Sequence, residues 1–279
     1  MDNLQKHLEN LLNERIKIFP YSSGKLQTQS GAEYFLKTGA PSATYQCEAD
    51  GLGELARSGA ISVAEVAAAG KNYILTKYIE SGSKRTDFFE DFGRRLARMH
   101  RQTAPHFGFY ENNFIGANRQ INLAEGDEKV NWVTFYFNKR LLYQYKLAES
   151  NNLVSDRLRK GFSKLETTIE KILANSQEPP ALLHGDLWAG NYLCNSQGNP
   201  VLIDPAVYYG HREADLAMTK LFGGFTQSFY RAYNQEYPLP EGWEYREDVY
   251  KLYHVLNHLN IFGRSYLSEA EYLAGKWGN

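Results

Sequence analysis

Two carboxylates and an amide fall close together in the stretch Leu182–Pro205, L-L-H-G-D-L-W-A-G-N-Y-L-C-N-S-Q-G-N-P-V-L-I-D-P: Asp186, Asn191 and Asp204. Two short apolar runs, Ala181–Leu183 and Val201–Ile203, read as strands, and a carboxylate follows soon after each. Between them, Asn195-Ser196-Gln197-Gly198-Asn199 is a turn signal. The chemistry that suits this layout is phosphoryl transfer, which needs positioning and charge neutralisation more than covalent catalysis. Asn191 and Asp204 offer hard oxygen ligands for magnesium beside nucleotide phosphates. Asp186 is then left to accept the proton of an attacking hydroxyl. The plainer alternative, a β-hairpin with solvated polar turns, leaves three roles at matching spacings unexplained.

The spacing H-x-D-L-x-x-x-N, followed by an Asp after a strand, resembles the catalytic loop and metal loop of kinases. Gly185 stands where protein kinases carry Arg, and Asp204-Pro205-Ala206 stands in place of Asp-Phe-Gly. Both departures resemble the small-molecule branch of that fold. The longer string His184-Gly185-Asp186-Leu187-Trp188-Ala189-Gly190-Asn191 resembles fructosamine (ketosamine) kinases. So do Tyr209-Gly210-His211-Arg212-Glu213, Leu221-Phe222-Gly223-Gly224-Phe225 and Asn257-His258-Leu259-Asn260. H-G-D alone is shared with aminoglycoside and choline kinases; H-G-D-L-W-x-G-N together with D-P-A-x-Y-Y-G-H is far more specific.

The resemblance implies an α+β, two-lobed protein-kinase-like fold. Residues 1–80 would form a nucleotide-binding lobe of antiparallel sheet with a helix, and residues 81–279 a mainly helical catalytic and substrate-binding lobe. It implies ATP and Mg2+ as cofactors. The acceptor would be a small-molecule or protein-bound ketosamine, such as a ribulosamine, erythrulosamine or fructosamine. Phosphorylation at the third carbon would destabilise the adduct and release the amine. Another small-molecule kinase, or a non-catalytic pseudokinase, is the rival reading; retention of Lys37, Glu48, Asp186, Asn191 and Asp204 argues against the second.

The elements that must position these groups are legible in turn. Lys37 closes the strand Tyr34-Phe35-Leu36-Lys37, and Glu48 lies on a helix marked by Tyr45, Leu52 and Leu55. That arrangement allows the Lys–Glu ion pair on which kinases depend. Ser22-Ser23-Gly24 is a turn between the first two strands. Ser23 and Gly24 either present backbone N–H groups to phosphates or form an ordinary hairpin turn. Lys77–Ser81 reads as a hinge, and by resemblance the backbone of Lys77, Tyr78 and Ile79 meets adenine. Trp188 offers a flat face to a sugar or its amine substituent, or simply packs. His211 is assigned to the substrate pocket. Asp215, on a helix Glu213–Leu221, is assigned to hold the catalytic loop's N–H groups, as kinase-like folds often do with an acid on this helix. His100 reads as a cation at a helix C-terminus. His254 and His258 lie four apart without a third ligand, so packing or pocket lining is preferred to metal binding.

Helices are expected near the N-terminus (Leu4, Leu8, Leu11, Leu12 and Ile16 on one face), over Asp87–Met99, Trp132–Leu147 and Leu153–Leu173, with a last short helix and fraying tail from Tyr266. Further strands are expected over Arg15–Tyr21, Lys25–Ser30, Ile61–Ala68 and Asn72–Ile79. The segment to Asn122 reads as a loop rich in Asn and Gly. A formal charge of −1 gives no pull towards nucleic acid or acidic membranes. Two cysteines, Cys47 and Cys194, make no disulfide or metal framework and suit a reducing cytoplasm. No run approaches a membrane span or a signal peptide. Either a monomer or a homodimer fits.

Overall fold

The structure, a computed structural model, describes residues 2–18, 24–174 and 177–278. Near the N-terminus five antiparallel strands form one sheet, in the spatial order Ile16–Ile18, Lys25–Thr28, Glu33–Thr38, Tyr73–Lys77, Val66–Gly70. Leu8 of the helix Asp2–Leu12 packs with Leu26, Leu36 and Leu75 on one face of this sheet. Leu52, from the helix Thr44–Arg57, packs with Ile74 and Ala64 on the other. Alternation along each strand puts these apolar side chains inward, so the tertiary contact settles the opening helix, whose Leu11 stays exposed.

The segment read as one strand over Ile61–Ala68 is two. Ser62–Val63 leaves the first sheet and pairs in parallel with Pro200–Leu202, itself antiparallel to Tyr192–Cys194. Only Val66–Gly70 joins the N-terminal sheet. The presumed loop before Asn122 holds a hairpin, Asn113–Ile115 against Asn118–Gln120. Its strands are short and polar, so periodicity carried no signal.

The rest is largely helical. Phe92 of the helix Phe88–Met99 packs on Phe229 of the helix Gln227–Glu236. The helices Asp156–Leu173, Trp243–Phe262 and Leu267–Gly275 surround a second apolar core. Trp277 is buried there, so the chain is packed to that point rather than frayed. Between Trp132–Tyr136 and Tyr143–Ser150 runs a π-helical stretch, Phe137–Leu142. Such widened turns re-aim side chains. Here Arg140 is fully buried, with its guanidinium 4.0 Å from the Tyr208 ring centre. Among the described residues no helix is long and apolar enough to cross a membrane.

Candidate active site

The strand Ala181–Leu183 and the pair Tyr192–Cys194/Pro200–Leu202 carry the two acidic loops. His184 ties them together. Its Nε2 lies 2.9 Å from the Ile203 carbonyl, which can only accept, so Nε2 carries the proton and Nδ1 accepts from the Asp186 N–H at 3.3 Å. Burial lowers the His184 pKa and keeps the ring neutral. Gly185 has φ +83°, and a Cβ there would sit 1.9 Å from the Ala206 carbonyl oxygen. The loops approach so closely that only glycine fits, which is why Arg cannot stand at this position.

Asp215 braces the same loop from beneath. Its carboxylate accepts the backbone N–H of His184 at 2.7 Å and of Gly185 at 2.8 Å. Burial alone would raise its pKa, but the hydrogen bonds from His100 and the Gly185 N–H help to outweigh burial and lower it. His100 is fully buried, with one ring nitrogen 3.1 Å from Asp215 and the other 2.8 Å from the Tyr233 hydroxyl. It therefore does not face solvent at the helix end. It orients the brace, and its role was invisible because Tyr233 and Asp215 are distant in sequence.

Lys37 Nζ lies 2.8 Å from Glu48 Oε1 and 2.5 Å from Asp204 Oδ1. Burial pulls the Lys37 pKa down, but the two carboxylates outweigh it and raise it. Asp204 holds a left-handed backbone, φ +52°, which Asp tolerates better than most residues and which occurs at constrained functional positions. The backbone after it is fixed by the polar hairpin: Gln120 donates to the Ala206 carbonyl at 2.8 Å and Asn113 to the Val207 carbonyl at 2.7 Å. Arg140 backs the hairpin by donating to Ile121 O and Asn122 Oδ1. Gln120, Asn113 and Arg140 were missed in the sequence, where nothing marks them out from solvated polar residues.

Asn191 Nδ2 donates to the Asp186 backbone carbonyl at 2.8 Å and to Asp186 Oδ2 at 3.1 Å, which leaves the Asn191 oxygen for a cation. Burial pushes Asp186 up to about 7, against the Asn191 hydrogen bond, with Asp215 and Asp204 adding to the rise. A carboxylate near neutrality is matched to a general base. This raised pKa has a stability consequence. The folded state binds the proton more tightly than the unfolded chain, so the contribution is present below pH 4 and is lost as pH rises to about 7. Asp186→Asn is therefore expected to be more stable than the parent at pH 8 by about 1–3 kcal/mol, after allowance for solvent screening, and equal to it near pH 4. Melting temperatures of both proteins across that range check this; a constant difference at every pH would refute it.

Two cavities meet at this cluster. One, of about 420 Å³, runs under the sheet and is lined by Ala64, Ile74, Tyr78, Ile79, Leu193 and Ile203, with Lys37, Glu48 and Asp204 at its inner end. Its apolar walls and the charged cluster of Lys37, Glu48 and Asp204 fit a nucleotide base followed by phosphates. Lys77 also lines it, but its ammonium is turned to Glu65 at 2.6 Å. Lys25, not singled out from the sequence, lines it as well and pairs with Glu33 at 2.8 Å. Ser23 lies outside the described residues. Gly24 has φ +93°, and a Cβ there would lie 2.4 Å from the Leu36 carbonyl oxygen, so the close approach of two strands explains this glycine without any ligand. Among the described residues no group of three or more His, Cys, Asp or Glu could hold a metal alone. Asn191 and Asp204 fit a magnesium ion that draws its other ligands from phosphates and water.

The second cavity, of about 660 Å³, opens on the other side of Asp186 and Asp204 and is walled by Trp188, Phe222, His258, Phe262 and Tyr266. Trp188 is 38% exposed, too open for a core residue. His258 donates from Nδ1 to the His254 carbonyl at 2.8 Å, while His254 is buried, so the two do not form a metal pair. His211 is not brought to either cavity. It is fully buried, stacked on Trp132 at 5.1 Å, and accepts the Glu178 N–H at 3.2 Å. Burial and the nearby Arg246 and Arg212 lower its pKa to about 3. The assignment of His211 to substrate is corrected to packing: its neighbour Arg212 forms a buried two-pronged pair with Glu178, which draws this segment inward.

The family model for fructosamine kinase matches residues 18–277. The chain belongs to the fructosamine kinase family. It is an ATP-dependent kinase of that family. It is 40% identical over 253 residues to a protein named chloroplastic protein-ribulosamine 3-kinase from Arabidopsis thaliana, covering 88% of this chain and 75% of that one. It is 38% identical over 269 residues to a chain named a probable ketoamine kinase from Enterococcus faecium, covering 92% and 94%. A crystal structure from Thermobifida fusca, provisionally named a fructosamine-3-kinase, superposes with a TM-score of 0.88 at 29% identity over 98% of both chains. Choline kinase LicA from Streptococcus pneumoniae superposes with a TM-score of 0.62 at 15% identity over 99% and 97%, a likeness of fold alone. The fold of this fructosamine kinase family member is thus α+β and kinase-like.

Proposed function

We propose that the chain phosphorylates a sugar hydroxyl, at the third carbon, of a ketosamine, in a deglycation reaction that frees the amine. The observation that carries this reading is the aromatic-walled cavity of about 660 Å³ that contains Asp186 and shares Lys37, Glu48 and Asp204 with the nucleotide cavity. Bound Mg2+ and ATP supply the phosphoryl group and neutralise its charge. Asn191 and Asp204 would hold the metal, Lys37 fixed by Glu48 would hold phosphate oxygens, and the backbone of Tyr78 and Ile79 would meet adenine. Asp186 would take the proton of the sugar hydroxyl as that oxygen accepts the terminal phosphoryl group of bound ATP, which would leave ADP. Asp215 and His100 hold the loop that carries Asp186. Trp188 lays its ring against the apolar face of the sugar or its linker. We divide the chain at residue 80 into a nucleotide lobe and a catalytic lobe, acting as a monomer or homodimer. The free thiols Cys47 and Cys194 support a cytoplasmic setting.

The relatives named ketoamine kinase and protein-ribulosamine 3-kinase support the choice of acceptor. The test is ATP consumption across ribulosamine, erythrulosamine and fructosamine conjugates, with choline, an aminoglycoside and the free sugars as controls. Magnesium-dependent turnover confined to the conjugates is expected; turnover of a control alone rejects the reading. Trp188→Ala is expected to raise the KM for the conjugate about 10–100-fold while the KM for ATP holds. A variant that melts far lower and loses both substrates equally would mean that the ring only packs.

A further inference from the structure

The aromatic wall does not stop at the sugar-sized space beside Asp186. It continues outward as a ladder of rings. Trp188 meets Phe222 edge-on at 6.0 Å, Phe222 meets His258 at 5.2 Å, and His258 lies near-parallel to both Phe262 at 5.6 Å and Tyr266 at 5.1 Å, which meet each other at 5.9 Å. Phe222 is 44% exposed and Phe262 61%. Side chains of this size left open beside a catalytic cavity, and continuous with it, mark a binding surface rather than chance exposure.

The charges beside the ladder limit what it can take. Among the described residues lining the cavity, the carboxylates of Glu48, Asp186 and Asp204 stand against one ammonium, that of Lys37, which is already paired to two of them. His258 adds no positive charge at neutral pH, because burial lowers its pKa and outweighs the opposing hydrogen bond from Nδ1 to the His254 carbonyl. Whatever those carboxylates hold, the ring faces themselves attract cations and disfavour anions. An acceptor with a carboxylate next to its nitrogen would be repelled.

We propose that the rings of Phe222, His258, Phe262 and Tyr266 form a second subsite that takes the amine-borne half of the substrate, a protonated secondary amine with an apolar or aromatic substituent. This rests on the ketosamine reading above and names the class of amine that the same cavity selects. The sugar half sits at Asp186 and Trp188; the substituent runs along the ladder and covers its exposed faces.

The experiment holds the sugar constant as ribulose and varies the amine: benzylamine, methylamine and glycine conjugates. The benzylamine conjugate is expected to have a KM about tenfold below that of the methylamine conjugate, and the glycine conjugate the highest of the three. In Phe262→Ala and Phe222→Ala the benzylamine-to-methylamine KM ratio is expected to close to within about twofold, with melting temperatures kept because both rings are exposed. Equal KM values for the three conjugates in the parent protein overturn the subsite alone. So does an unchanged ratio in both folded variants. No turnover of any conjugate overturns the ketosamine reading and the subsite with it.

Discussion

Asp186→Asn is expected to bind ATP as the parent does and to turn over about 10²–10⁴-fold more slowly. The substitution keeps the shape of the side chain and removes its ability to take a proton. The loop should survive it, since Asn191 also donates to the Asp186 backbone carbonyl and Asp215 holds the two preceding N–H groups. The same carboxylate is expected to set the acid side of the rate profile. With its pKa raised to about 7 by burial, the fraction able to accept a proton falls as pH drops below neutrality, and kcat/KM falls with it. Nucleotide titration together with steady-state rates checks the prediction. Turnover within a few-fold of normal in a folded Asp186→Asn protein would remove Asp186 from the reaction.

Asp204→Asn is expected to abolish the tightening of ATP binding by magnesium and to lower turnover by about 10³-fold. Asn is chosen because it tolerates the left-handed backbone at this position, φ +52°, where Ala would add strain unrelated to charge. Lys37 would keep Glu48 at 2.8 Å, so the ammonium stays placed while the metal loses its only charged protein ligand of the two proposed. ATP titrations with and without magnesium decide the matter; an unchanged magnesium effect in the variant would put the ion elsewhere.

Strand, loop and helix around the chemistry were legible in the sequence where the signal is local. The apolar triplets at Ala181 and Val201, the turn at Asn195–Asn199 and the helix Glu213–Leu221 stand where the pattern put them, within a residue. Strands that change partner were not. Ser62–Val63 reads as part of one run with Val66, yet it pairs with Pro200–Leu202, because a β-strand's partner is set by distant backbone and not by its own alternation.

By itself, then, the sequence determined the family, the α+β kinase-like class and the spacing of Asp186, Asn191 and Asp204, since short spacings along a strand–loop–strand unit translate almost directly into distance. The tertiary structure alone decided which histidines line a cavity and which face the core. His211 and His258 both stand in family-like strings, but the buried Arg212–Glu178 pair draws one inward and the ring ladder leaves the other at the cavity wall. It alone also showed that the polar hairpin around Gln120 holds the backbone that follows Asp204, and that His100 holds Asp215. Each of these rests on contacts between residues far apart in the chain, where burial and hydrogen-bond partners are properties of the packed molecule and leave no periodicity to read.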